Sequence, residues 1–122
     1  MMVLKLQQNS SGIMNSVSES QYEQLRNLLG SNFPILINTY IEDNRSRIIL
    51  LGSAVDEGNW PEIRQISHSM KSSSANIGAT VLADLCQKVE HCTENNLRDV
   101  QVTYGKLCAE FEAVVVYLNS HL

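Results

Sequence analysis

From Ser18 onward, apolar positions recur every three or four residues, in stretches separated by a few polar or small residues. That period predicts helices along the whole segment. "SESQYEQLRNLLG" predicts a short helix, with Ser20 and Glu23 at capping-box spacing and Gly30 able to close the far end. In "SNFPILINTYIEDNRSRIILLGSAVDEGN", Ser31 or Asn32 caps the next helix. Pro34 falls in its first turn, where the missing N–H costs little. Leu36, Tyr40, Ile48, Leu51 and Val55 form its apolar stripe, Asn44 breaks the stripe, and Gly58 marks the end. Asn59, followed by Glu62, restarts a helix that runs to about Asn76 or Ile77 and stops at Gly78. "ATVLADLCQKVEHCTENN" then places Leu82, Leu85, Val89 and Cys92 on one side, until Asn95 and Asn96 break it. A last helix from about Leu97 carries Val100, Tyr104, Leu107, Phe111, Val114 and Leu118 at helical spacing.

Connections this short force successive helices antiparallel. The expected fold is all-α: an antiparallel up-down-up-down four-helix bundle with a short N-terminal capping helix, whose Tyr22, Leu25 and Leu29 cover the core. Residues 1–17, polar and without a sustained period, are expected to form a flexible tail or linker, and residues 18–122 the bundle domain. No strand pattern and no internal repeat competes with this reading. Trp60 beside Pro61 is expected to pack at one end of the bundle.

Composition narrows the function classes. The 122 residues suffice for one domain with a single core, and 43% hydrophobic with 18% charged residues is an ordinary globular balance. A net charge of -4 without any basic block argues against a nucleic-acid binder and against a polybasic membrane anchor. The longest apolar runs, Ile48 to Leu51 and Ala113 to Leu118, are too short to span a bilayer, and the start "MMVLKL" is too short for a secretory signal. Cys86, Cys92 and Cys108 are odd in number and lack CxxC spacing, as expected of reduced thiols in a cytoplasmic protein rather than a zinc site. His91 and Cys92 are adjacent, so on a helix they point about 100° apart and cannot chelate one metal together. His121 falls in the last, fraying residues. A metal- or cofactor-binding bundle would need inward-facing ligands, which the predicted stripes hardly offer. No Gly-rich phosphate loop is present.

The stretch "SHSMKSSSANIGA", Ser67 to Ala79, fits none of these structural needs alone. With the core line of its helix taken through Ile63, Ile66, Met70, Ser73 or Ser74, and Ile77, His68 lies about 160° from Ile66 and faces solvent. Arg64, Gln65, Lys71, Ser72 and Ala75 share its face. A solvated face with an incidental histidine would show much of this. But serine is a middling helix former, and a strip of small residues beside a histidine leaves room for another surface. An imidazole that is largely neutral near pH 7 can act as a nucleophile, and an ammonium one turn on can meet phosphoryl charge. The combination suits a site that accepts and surrenders a phosphoryl group, not one that makes it from ATP.

On these residues the sequence resembles histidine-containing phosphotransfer (HPt) domains, whose hallmark reads HxxKGSSxxxGAxxLxxLCxxxE. His68, Lys71, Ser73, Ser74, Gly78, Ala79, Leu82, Leu85, Cys86 and Glu90 fall on it, and the likeness extends over roughly residues 20 to 120. The resemblance implies a four-helix bundle that takes a phosphoryl group from the aspartyl phosphate of a receiver domain and passes it to another receiver. It implies phosphorylation of His68 at Nε2, charge stabilisation by Lys71, and orientation of the imidazole by Glu90. Arg64, Gln65, Ser72 and Ala75 are the expected docking residues. The implied partners are response-regulator receivers and a hybrid sensor histidine kinase. The domain is expected to be a cytoplasmic monomer without a metal or other cofactor of its own, Mg²⁺ belonging to the receiver. The chain departs from the hallmark at Ser72, where the family has glycine. That hydroxyl would bond a phosphoryl oxygen or narrow access, and activity is expected to survive with its rate or partner choice tuned; the alternative is a docking module that binds receivers and has lost transfer.

Overall fold

A computed structural model of the chain describes residues 16–122; the first fifteen residues of the expected tail lie outside the described residues. Helix α1 (Glu19–Leu29) leads through a 3-10 turn at Gly30–Asn32 into α2 (Phe33–Glu57). Then come α3 (Trp60–Asn76), α4 (Thr80–Glu90), a second 3-10 turn at Glu94–Asn96, and α5 (Leu97–Ser120). Among the described residues there is no strand. Each of α2 to α5 packs on the next, and α5 closes back on α2. The result is the up-down-up-down four-helix bundle that short connections impose.

The core runs through Phe33, Ile37, Leu51, Ile63, Met70, Leu82, Cys86, Leu107, Phe111 and Leu118, all essentially without solvent contact. Burial pushes the Cys86 thiol up to about 12, which leaves it protonated and unreactive. Helix α1 covers the end where α2 begins and α3 and α5 finish. Its Tyr22 is fully buried, edge-on to Phe33 at 5.0 Å and to Tyr117 at 5.3 Å. Arg26 lies over the Phe33 ring and donates to the backbone carbonyl of His121, and Gln21 donates to the carbonyl of Ala75 at 2.7 Å.

Three details depart from the sequence expectation. Helix α1 starts at Glu19 behind Ser18, which makes no side-chain cap bond, so Ser20 and Glu23 form no capping box there. Val17, assigned to the tail by its polar neighbours, is buried in the core, and the Ser18 N–H donates to Gly78 O at 2.8 Å. On α2 the buried residue is Ile37, while Leu36 is exposed, because the true stripe runs Phe33, Ile37, Tyr40, Asn44, Leu51. Trp60, half-buried, packs against the core at the start of α3, as expected.

Gly52 sits mid-helix in α2, where glycine is a poor choice by propensity. Its reason is Tyr104 on α5, whose hydroxyl donates to the Ile48 carbonyl at 2.8 Å and would lie 2.5 Å from a Cβ at position 52. Gly52→Ala is therefore expected to cost about 1 kcal/mol or more in urea unfolding. In a Tyr104→Ala background the same substitution should instead stabilise by up to about 1 kcal/mol. A change of the same sign in both backgrounds would contradict this packing.

Candidate functional site

Asn59 caps α3 by accepting from the Glu62 N–H at 3.3 Å. From there the helix presents Ile63, Ser67, Met70 and Ser74 to the core. The core line thus passes through Ser67 and not Ile66, which is half-buried. These serines are small because they face inward: Ser67 Oγ donates to the Ile63 carbonyl at 2.6 Å, and Ser74 Oγ shares a 2.7 Å hydrogen bond with the Tyr40 hydroxyl of α2. Only part of the serine run is therefore open to a partner. Arg64, Gln65, His68, Ser72 and Ala75 are all exposed, as expected, and Lys71 is half-buried on the side toward α4.

The tight turn at Gly78, φ 88°, folds α4 back along α3. A side chain there would also meet Ser18 O at 3.3 Å. Leu82, Cys86 and Val89 point into the core, and Glu90, the last residue of α4, reaches back to α3. Glu90 Oε2 lies 2.9 Å from His68 Nδ1, and Glu90 Oε1 lies 2.8 Å from Lys71 Nζ. The His68 side chain is 60% exposed and that of Glu90 only 18%.

An ionised carboxylate can only accept, so Nδ1 carries the proton, and in the neutral ring Nε2 then keeps its lone pair on the exposed side. The Lys71 ammonium, with a smaller contribution from His68, holds the Glu90 carboxyl below its ordinary range against the opposing effect of burial. The arrangement can offer a nucleophilic nitrogen to a docked electrophile while a fixed anion meets positive charge that develops on the ring. The contact between His68 and Glu90 is the one the family resemblance implies. The contact between Lys71 and Glu90 is not predicted by the sequence, because it depends on how far α4 runs. Among the described residues no group of three or more His, Cys, Asp or Glu side chains is placed to hold a metal.

The Hpt domain family model matches residues 35–117, which span α2 to α5 and include the whole histidine–glutamate–lysine cluster. The chain belongs to the Hpt domain family. Histidine phosphotransfer within a phosphorelay is accordingly its function. A solved structure with the same fold is that of histidine-containing phosphotransfer protein B from Pseudomonas aeruginosa PAO1. Its TM-score is 0.77 at 23% sequence identity, over 86% of this chain and 92% of that one. No match was found among curated proteins. Among the described residues no helix of this Hpt domain is long and apolar enough to cross a membrane.

The lowered Glu90 value carries a sign. Its ionised form is favoured by folding, so this contribution to stability is fully present above the ordinary glutamate range and is lost as pH falls through the lowered value. Lys71→Met should move the Glu90 titration, followed by carboxyl-carbon NMR, upward by more than His68→Ala does. Equal shifts, or a larger one from His68→Ala, would contradict the dominance of the lysine.

Proposed function

We propose that His68 is the residue that carries the phosphoryl group. The observation that supports this best is the 2.9 Å contact from Nδ1 to Glu90 on a ring that is otherwise open to solvent. The Nε2 lone pair attacks the phosphorus of a receiver's aspartyl phosphate. The N–P bond forms as the P–O bond to the aspartate breaks, and the electron pair leaves with the receiver carboxylate. The ring gains positive charge, which the Glu90 carboxylate meets through the retained Nδ1 proton. Lys71 pairs with Glu90 and stands one helical turn from His68, where it can share the charge of the phosphoryl oxygens. Transfer to a second receiver is the same sequence reversed.

Both Glu90 oxygens are engaged, and among the described residues no other carboxylate contacts His68. We therefore assign the Mg²⁺ that neutralises phosphoryl charge to the receiver's acidic pocket. Arg64, Gln65, Ser72 and Ala75 surround His68 on the exposed face of α3 and form the docking strip. The partners on this reading are receiver domains and a hybrid sensor kinase, and the domain acts as a cytoplasmic monomer.

Incubation with a phosphorylated receiver should label wild-type protein with an acid-labile phosphoramidate and leave His68→Ala unlabelled. Equal labelling, or none in either, would end this reading. Glu90→Ala should slow labelling roughly tenfold to hundredfold, the usual consequence of a misplaced reacting group. Ser72, exposed one turn beyond His68, is assigned a tuning role. Ser72→Gly should change the transfer rate measurably, and an unchanged rate would remove Ser72 from the site.

A further inference from the structure

The polar residue that interrupts the α2 stripe is the starting point. Asn44 is fully buried, which is costly for an amide unless its groups are bonded. Its Nδ2 donates to the Tyr40 carbonyl at 2.9 Å, so its Oδ1 must face the other way as an acceptor. That oxygen faces two donors: Arg47 Nη1 of α2 at 3.2 Å and Ser73 Oγ of α3 at 3.3 Å, whose one proton is shared with the Met70 carbonyl at 3.2 Å. The buried amide thus joins α2 to the helix that carries His68 and fixes the guanidinium of Arg47.

The two helices run antiparallel, so the backbone of Arg47, one turn beyond Asn44, lies level with Ser69 and Met70, while its guanidinium, bonded to Asn44 Oδ1, reaches back to the level of Ser73, the neighbour of Ser72. By helical phase His68 leans toward α4 and Ser69 and Ser73 toward α2. The exposed strip of α3 is therefore flanked by Lys71 and Glu90 on one side and by Arg47 on the other.

The charges of the two flanks differ. Lys71 is paired with Glu90, Arg45 with Glu112 at 2.9 Å, and Arg26 with Glu23 at 3.4 Å. Among the described residues neither Arg47 nor Arg64, on the strip itself, makes an ion pair, but only Arg47 is held by a hydrogen bond; Asp43 lines the same groove, of about 470 Å³, without bonding to it. A chain of net charge -4 repels an acidic partner overall, so one aimed cation beside the docking strip has a steering and registering role.

We propose that Arg47, aimed by Asn44, is a docking contact for an acidic surface of the receiver and helps to select it. The inference rests on the reading of His68 as the transfer residue and adds a determinant on a second helix. Arg47 does not touch the reacting atoms, so its loss is felt in KM and in salt dependence and not in the rate at saturation.

The test measures initial phosphotransfer from a phosphorylated receiver at varied receiver and salt concentrations, for wild type, Arg47→Ala, Arg47→Gln and Arg47→Lys, each checked by thermal melting. Gln retains a donor for Asn44 Oδ1 but no charge, so it remains interpretable if Ala unfolds. Ala and Gln should raise KM about fivefold at low salt, as one docking charge can, and Lys should recover most of that. The difference should vanish at high salt. A Gln variant that behaves like wild type, or a lowered saturated rate at unchanged KM, would reduce Arg47 to a structural tie and overturn the inference alone. Failure of wild type to label at any receiver concentration would overturn the His68 reading and this one with it.

Discussion

The Glu90 carboxylate lies between a histidine and a lysine that belong to another helix, and both of its oxygens are in use. A carboxylate so little exposed would be unfavourable without partners, and it stands at the C-terminus of its own helix, where the dipole opposes a negative charge. The ion pair to Lys71 offsets both effects. Partly exposed pairs contribute little net stability, so the arrangement is better understood as fixing geometry than as holding the bundle together. For one oxygen to face the imidazole and the other the ammonium, α3 and α4 must keep a fixed relative height. The Gly78 turn sets that height at one end, and the buried Leu82, Cys86 and Val89 of α4 maintain it along the contact.

The serines of α3 show how one residue type meets opposite demands on one helix. Ser67 and Ser74 face the core and bond their hydroxyls to the helix itself or to Tyr40. A larger residue at either position would push α2 or α4 away and misplace the neighbours of His68. Ser72 faces solvent and constrains nothing in the core. Inward small residues bring the helices close, and outward small residues leave the imidazole accessible; the two requirements interleave at helical period.

Much of this was legible in the sequence. Helix existence, the caps at Asn59 and Gly58 and the exposure of His68 follow from spacing, whereas its meeting with Glu90 is expected from the family resemblance alone. The failures share a physical cause. Leu36 and Ile66 are apolar, and periodicity weighs apolar residues as core, but Ile37 and Ser67 take the inward positions because facing helices fill the space differently from either side. Asn44 reads as a break in a stripe, although it is a buried member of it. A polar side chain is admitted there by partners on α3 and on its own helix, and one helix's pattern cannot show the partners on another.

Each neighbour of α3 thus contributes one polar anchor. From α4, Glu90 fixes the ring of His68; from α2, Asn44 fixes Ser73 and Arg47. His68 itself is on neither neighbour, but on the helix held between them. A side chain that must be open to a partner cannot be positioned by burial, so its orientation has to come from hydrogen bonds made by residues that are themselves held by packing. Glu90 and Asn44 meet that condition, one mostly and the other wholly shielded from solvent. Access and rigidity therefore coexist at His68 because two different helices supply the restraint while α3 supplies the exposed face.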